Sequence, residues 1–204
     1  MMKRSLTKPM KNLKKRFSQL IMVCLPPVIL LLVGACSAKQ FVPAPGVSSE
    51  DRFALLKADS VLVAVRPQAY TGNYQELNNR FFSVLLRVKN VAATKRKIQN
   101  DDFSILAAGK QFDPVPTELI LANMRQNHLL QTYEDPFSIM ENDDYSLTSD
   151  KQQDQYYEVI ANSFSFGDVL PGGIKEGYLF FNPAVANADS ISLDIFGKRV
   201  GFVK

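Results

Sequence analysis

Apolar and polar residues alternate along most of the chain after about position 60, the two-residue period of half-buried strands. Val61, Val63 and Val65 share one face of a first run, Leu62 and Ala64 the other, and Arg66-Pro67 ends it. Between Arg80 and Asn90, Phe82, Val84, Leu86 and Val88 line a wholly apolar face, while Ser83, Leu85, Arg87 and Lys89 form a mixed one. That contrast suits one layer of a sandwich. Phe103, Ile105 and Ala107 alternate next; Ala108-Gly109-Lys110 reads as a tight turn, and residues 111–115 as the returning arm of a hairpin. Near the C-terminus, Gly172-Gly173 marks a turn before the strand at Tyr178–Phe181, which Asn182-Pro183 closes. Ile191, Leu193 and Ile195 then lead through Gly197-Lys198 to Val200 and Phe202.

Three stretches break this rhythm. Residues 51–58 are weakly patterned and predict one or two helical turns. Residues 70–79, with Gly72-Asn73 and Asn78-Asn79, predict a loop. Thr117 is placed to cap a helix through Met124, with Ile120, Leu121 and Met124 on one side. Residues 131–158 then carry eight acids and a single base, Lys151, and predict an irregular loop with a short helix near 151–159. Short strands separated by turn signals, with no strand–helix–strand alternation, predict an all-β fold: an immunoglobulin-like antiparallel β-sandwich with a helix/loop insertion. The sandwich is expected over 59–204 with the insertion at about 117–160.

The N-terminal segment has a different pattern. Seven bases fall within the first 16 residues, and an apolar run of 16 residues from Leu20 to Ala35 follows, interrupted by Pro26 and Pro27. A spanning helix needs roughly 20 apolar residues, so residues 1–35 predict an export signal rather than a permanent span. The run ends Val33-Gly34-Ala35-Cys36. A branched aliphatic, two small residues and a cysteine resemble the lipobox of bacterial lipoproteins. The resemblance implies cleavage before Cys36 and acylation of its thiol with diacylglycerol and palmitate-type chains, enough for stable anchoring. Residues 36–58 would be the lipidated N-terminus and a tether. Ser37 implies, for a Gram-negative cell, an outer-membrane protein facing the periplasm.

Charge changes its meaning once the leader is set aside. Lys and Arg number 24 against 20 Asp and Glu; without the seven leader bases, 17 face 20 and the net charge is −3. A nucleic-acid partner is therefore not expected, since phosphate binding needs clustered positive charge. Cys24 leaves with the leader, so disulfides and thiolate metal sites are excluded from the folded part.

The block Phe82–Asn90, then Asp102-Phe103-Ser104-Ile105, Gly109-Lys110, Leu170-Pro171-Gly172-Gly173 and Gly177–Phe181 form a recognisable series. It is similar to an uncharacterised immunoglobulin-like domain family of bacterial lipoproteins and secreted proteins, related in fold to secreted immunoprotective antigens. The resemblance implies a fold and no catalytic residues. The residues themselves agree: His128 is the only histidine and there is no G-x-S-x-G motif, so no nucleophile–base set is legible. Met124 and His128, four apart on the expected helix, are candidate soft-metal ligands for a copper carrier. Glu141, Asp143 and Asp144 offer carboxylates to calcium without the spacing of an EF-hand, and with Tyr145 they form a candidate partner-binding surface. The expected function is that of a lipid-anchored binding or assembly module of the cell envelope, without catalysis or cofactor, held to the membrane through Cys36 and recognising an envelope protein. A copper or calcium carrier is the alternative.

Overall fold

A computed structural model describes residues 40–124 and 145–204. The expected signal, the lipobox residues Val33, Gly34 and Ala35, and Cys36 lie outside the described residues, as do His128, Glu141, Asp143 and Asp144.

Among the described residues, twelve short strands form the framework: β1 (Val42–Pro43), β2 (Ser49–Glu50), β3 (Phe53–Ala58), β4 (Val61–Pro67), β5 (Phe82–Asn90), β6 (Arg96–Ile98), β7 (Phe103–Ala107), β8 (Lys110–Phe112), β9 (Gly167–Val169), β10 (Ile174–Phe181), β11 (Ser190–Ile195) and β12 (Lys198–Val203). They pair antiparallel in two five-stranded sheets, β1-β12-β11-β7-β8 and β10-β5-β4-β3-β2, with β6 and β9 forming a small separate ladder. The chain leaves the second sheet after β5, builds β7 and β8 in the first, and returns as β10 beside β5. It crosses again to place β11 beside β7. The result is an antiparallel β-sandwich, in keeping with the all-β class that the alternation predicts.

Period-two alternation places one apolar set from each sheet inside. Val61, Val63 and Val65 of β4 and Val84, Leu86 and Val88 of β5 face Ile105, Ile191, Leu193, Ile195 and Phe202 of the other sheet, all at 3% exposure or less. Phe103, Phe164, Phe166 and Phe196 extend this core with ring centroids 5.3–6.2 Å apart. The β7–β8 hairpin turns through Ala108 and Gly109, at φ 49° and 75°. Two consecutive positive φ values fit the right-handed twist of the flanking strands. The returning arm is shorter than expected, ending at Phe112, because Asp113 and the prolines at 114 and 116 follow.

The largest departure lies at the N-terminal side. Residues 51–52 are a turn and Phe53–Ala58 a strand, not helical turns, and residues 42–58 belong to the sandwich rather than to a tether: the compact unit begins at Gln40. Ala54, Leu56 and Ala58 find their partners Val65, Val63 and Val61 through a turn at Asp59, which takes φ 48°. The adjacent Leu55-Leu56 pair blurred the alternation, and a neighbouring strand decided the outcome, since strand preference depends on pairing more than on the residue alone. The loop at 70–79 also differs, ending in a helical turn, α1 (Leu77–Arg80). There the Asn78 side chain accepts from the Tyr70 amide (2.7 Å) and donates to its carbonyl (3.0 Å).

The insertion is more helical than its polarity suggests. Residues 117–124 form α2, as expected. Tyr145–Asn162 form α3, 18 residues where a short helix near 151–159 was expected. Among the described residues, no helix is long and apolar enough to cross a membrane.

Candidate interaction surface

The C-terminal half of β10 is buried on both faces: Tyr178, Leu179, Phe180 and Phe181 are all 7% exposed or less. Leu179 and Phe181 point into the sandwich, while Tyr178 and Phe180 belong to a second core on the sheet's outer side. That second core is closed by Tyr70, Tyr74 and Leu77 from the loop before β5, by Ile120 and Met124 of α2, and by Val159 of α3. The insertion is therefore the cover of one sheet face. Burying each of these large side chains stabilises by about 1.5–3 kcal/mol.

Polar contacts fix the cover in place. The Tyr178 hydroxyl meets the Gln68 side-chain amide at 2.6 Å and the Thr71 hydroxyl at 3.0 Å. The Asn162 side chain of α3 donates to the Tyr70 hydroxyl at 3.1 Å, and the Glu158 carboxylate accepts from the Asn73 amide at 2.6 Å. A Cβ at Gly72 would collide with the Tyr70 hydroxyl and the Glu158 carboxylate, so only glycine lets the loop pass this close to the helix. Burial raises the Tyr70 hydroxyl above its ordinary pKa, the Asn162 bond opposing it. Tyr74 is pushed up to about 12, first by burial and then by its bond to Glu76. Both phenols thus stay neutral donors. Periodicity does not reveal this network, since the loop residues lie 85–110 residues from their partners on α3 and β10; Gly72-Asn73, read only as loop residues, was its one visible trace.

On the outside, the helices present apolar residues to solvent. Leu119 of α2 and Tyr157 of α3 are each 61% exposed, and Ile160 is 49% exposed. Ile160 and Leu121 border a groove of about 620 Å³ with Pro116, Phe164 and Phe166. The same two residues, with Tyr156 and Tyr157, line a smaller hollow of about 300 Å³. Glu118 and Asp154 are exposed on these helices.

Of the sequence-predicted site residues, Met124 is placed at 2% exposure inside the second core, on the apolar helix face where periodicity put it; His128, its expected companion, lies outside the described residues. Tyr145 opens α3. Among the described residues, no group of three His, Cys, Asp or Glu side chains is arranged to hold a metal ion.

The described chain is thus a β-sandwich with one sheet face roofed by a helical insertion. Comparison with protein-family models, curated proteins and solved structures finds no match for it.

Proposed function

We propose that this protein is a lipid-anchored binding module of the cell envelope, tethered through Cys36 and recognising an envelope protein through the outer surface of its insertion. The observation that carries the reading is the exposure of Ile160 and Tyr157 at the edges of the two hollows, with Leu119 exposed on α2, on helices whose inner faces are already used. Exposed apolar clusters rimmed by polar residues mark interaction sites. Glu118 and Asp154 give that rim an acidic character, so the partner surface is apolar at its centre and basic around it. Its role is recognition rather than turnover, with the anchor raising the effective concentration near membrane partners.

Deleting the insertion would uncover Tyr178 and Phe180 and is a poor test. Substituting Leu119, Tyr157 and Ile160 by Ser leaves the second core intact. In cells, the triple variant is expected to melt within a few degrees of the parent and to lose the cross-linked envelope partner that the parent captures. Unchanged cross-linking would end the insertion reading. Cys36→Ser is expected to abolish incorporation of labelled palmitate and to release the protein from the membrane fraction; label retained by that variant would end the anchoring reading.

A further inference from the structure

The end of the sandwich farthest from the N-terminal strand carries a second surface with the opposite charge. Leu62, Lys89 and Ile174 lie side by side across β4, β5 and β10, and Leu62 and Ile174 are 42% and 57% exposed. Val91 and Leu170 continue the apolar row at 43% and 66%. Their loops are joined: the Val91 amide donates to Ser60, and the Gly172 amide to Asn90. Exposed lysines border the row, Lys57 opposite Leu62, Lys89 within it, and Lys95 and Lys97 on and beside the β6 ladder. Three acids sit among them: Asp59 in the β3–β4 turn, Glu176, two residues along β10 from Ile174 and paired with Arg87 at 2.7 Å, and Asp168, which Lys95 holds at 2.8 Å. The Asp168 carboxyl is held below its usual range by the Lys95 bond first, with Lys97 and Lys175 adding their charge.

The surface is built rather than incidental. Asn90 is fully buried; its side-chain nitrogen donates to the Thr94 carbonyl (2.8 Å) and to the Val169 carbonyl (2.9 Å), and its oxygen accepts from the Ala92 amide (2.9 Å). One amide thereby fastens the 91–94 loop to the end of β9, fixing the residues that carry the exposed row.

Where this surface points follows from chain length, granted the anchoring proposed above. Phe41 packs edge-on against Phe82, and Val42 pairs with Val203, so the chain enters at the opposite end of β5. Four residues from Cys36 to Gln40 reach at most about 14 Å. The nine residues of β5 span roughly 30 Å at about 3.3 Å each. The far end cannot be turned head-on to the membrane that holds the lipid. We propose that this distal surface, centred on Leu62, Ile174 and Leu170 and rimmed by Lys57, Lys89 and Lys97, docks an acidic, apolar-centred segment of a second envelope protein.

The test uses the full chain carrying Cys36→Ser, which stays in solution, and three probes: an amphipathic peptide of alternating Glu and Leu, its Lys–Leu counterpart, and phosphatidylglycerol vesicles. The acidic peptide is expected to bind saturably. Binding should weaken at least about tenfold in Lys89→Glu/Lys97→Glu, because like charges across an interface repel. It should weaken comparably in Leu62→Ser/Ile174→Ser. All four side chains are exposed, and circular dichroism checks that each variant folds. No binding of the acidic peptide, equal binding of the basic one, or binding unmoved by both double variants overturns the proposal. Vesicle binding in place of peptide binding would assign the surface to lipid headgroups. A salt-sensitive dimer formed without peptide would assign it to a second copy; either result overturns the proposal too. Palmitate labelling decides the orientation separately: if anchoring fails, the orientation falls while the peptide titration still judges the surface.

Discussion

Replacing Asn90 with alanine is expected to be among the most damaging changes that leave the hydrophobic core untouched. The substitution orphans three backbone groups, the carbonyls of Thr94 and Val169 and the amide of Ala92. A buried polar group left without its partner costs about 1–3 kcal/mol. The Val169 bond is buried and the other two are partly exposed, so water recovers part of the loss at those two. The expected destabilisation is about 3 kcal/mol, with most of it from Val169. At this chain length that lowers the melting temperature by roughly 6–12 °C. Urea unfolding followed by tyrosine fluorescence measures the free energy, and hydrogen exchange at the Ala92 amide measures the local opening. Asn90→Asp separates the contributions, because it keeps the acceptor for Ala92 but loses both donors and sets a carboxylate against two carbonyls. It should be at least as unstable as Asn90→Ala at neutral pH. A loss below about 1 kcal/mol for Asn90→Ala, or wild-type stability for Asn90→Asp, would refute the claim that this amide fastens the distal loops.

The tight packing of β10 and the alkaline titration of the second core give two more expectations. A Cβ at Gly177 would lie 2.6–2.7 Å from the backbone of Ser163 and Phe164, atoms that cannot swing aside, so Gly177→Ala should cost about 3 kcal/mol; a thermal melt matching the parent would show that this strand edge is looser than described. Tyr74 has a raised pKa in the folded state, about 12 against 10.0 for the free phenol. The folded chain therefore holds the proton more tightly than the unfolded one, and the contribution is complete below pH 10 and lost as pH climbs towards 12. Tyr74→Phe should flatten the alkaline fall in stability over that window, and an identical slope in both proteins would contradict the assignment.

The sequence by itself determined the inward faces of the central strands β4 and β5 and the existence of β7, β11 and β12. Val61, Val63, Val65, Val84, Leu86 and Val88 are buried where alternation put them, because a two-residue period leaves a strand only two faces and apolar burial selects one. Turn residues at Ala108-Gly109 and Gly172-Gly173 were legible for a similar local reason, backbone angles that few residues adopt readily. Tertiary structure alone decided the rest. Residues 53–58 became a strand because β4 was there to pair with, and the apolar side of α2, legible in its spacing, found its partner only in the second face of β10. Tyr178–Phe181 read simply as a strand; that both its faces are buried, and by which helices, came from the tertiary structure. Asn90 was visible only as the end of a strand. Its role as a fastening depends on Thr94 and on Val169, the latter 79 residues away, and contacts at that separation are set by topology, which no local pattern encodes.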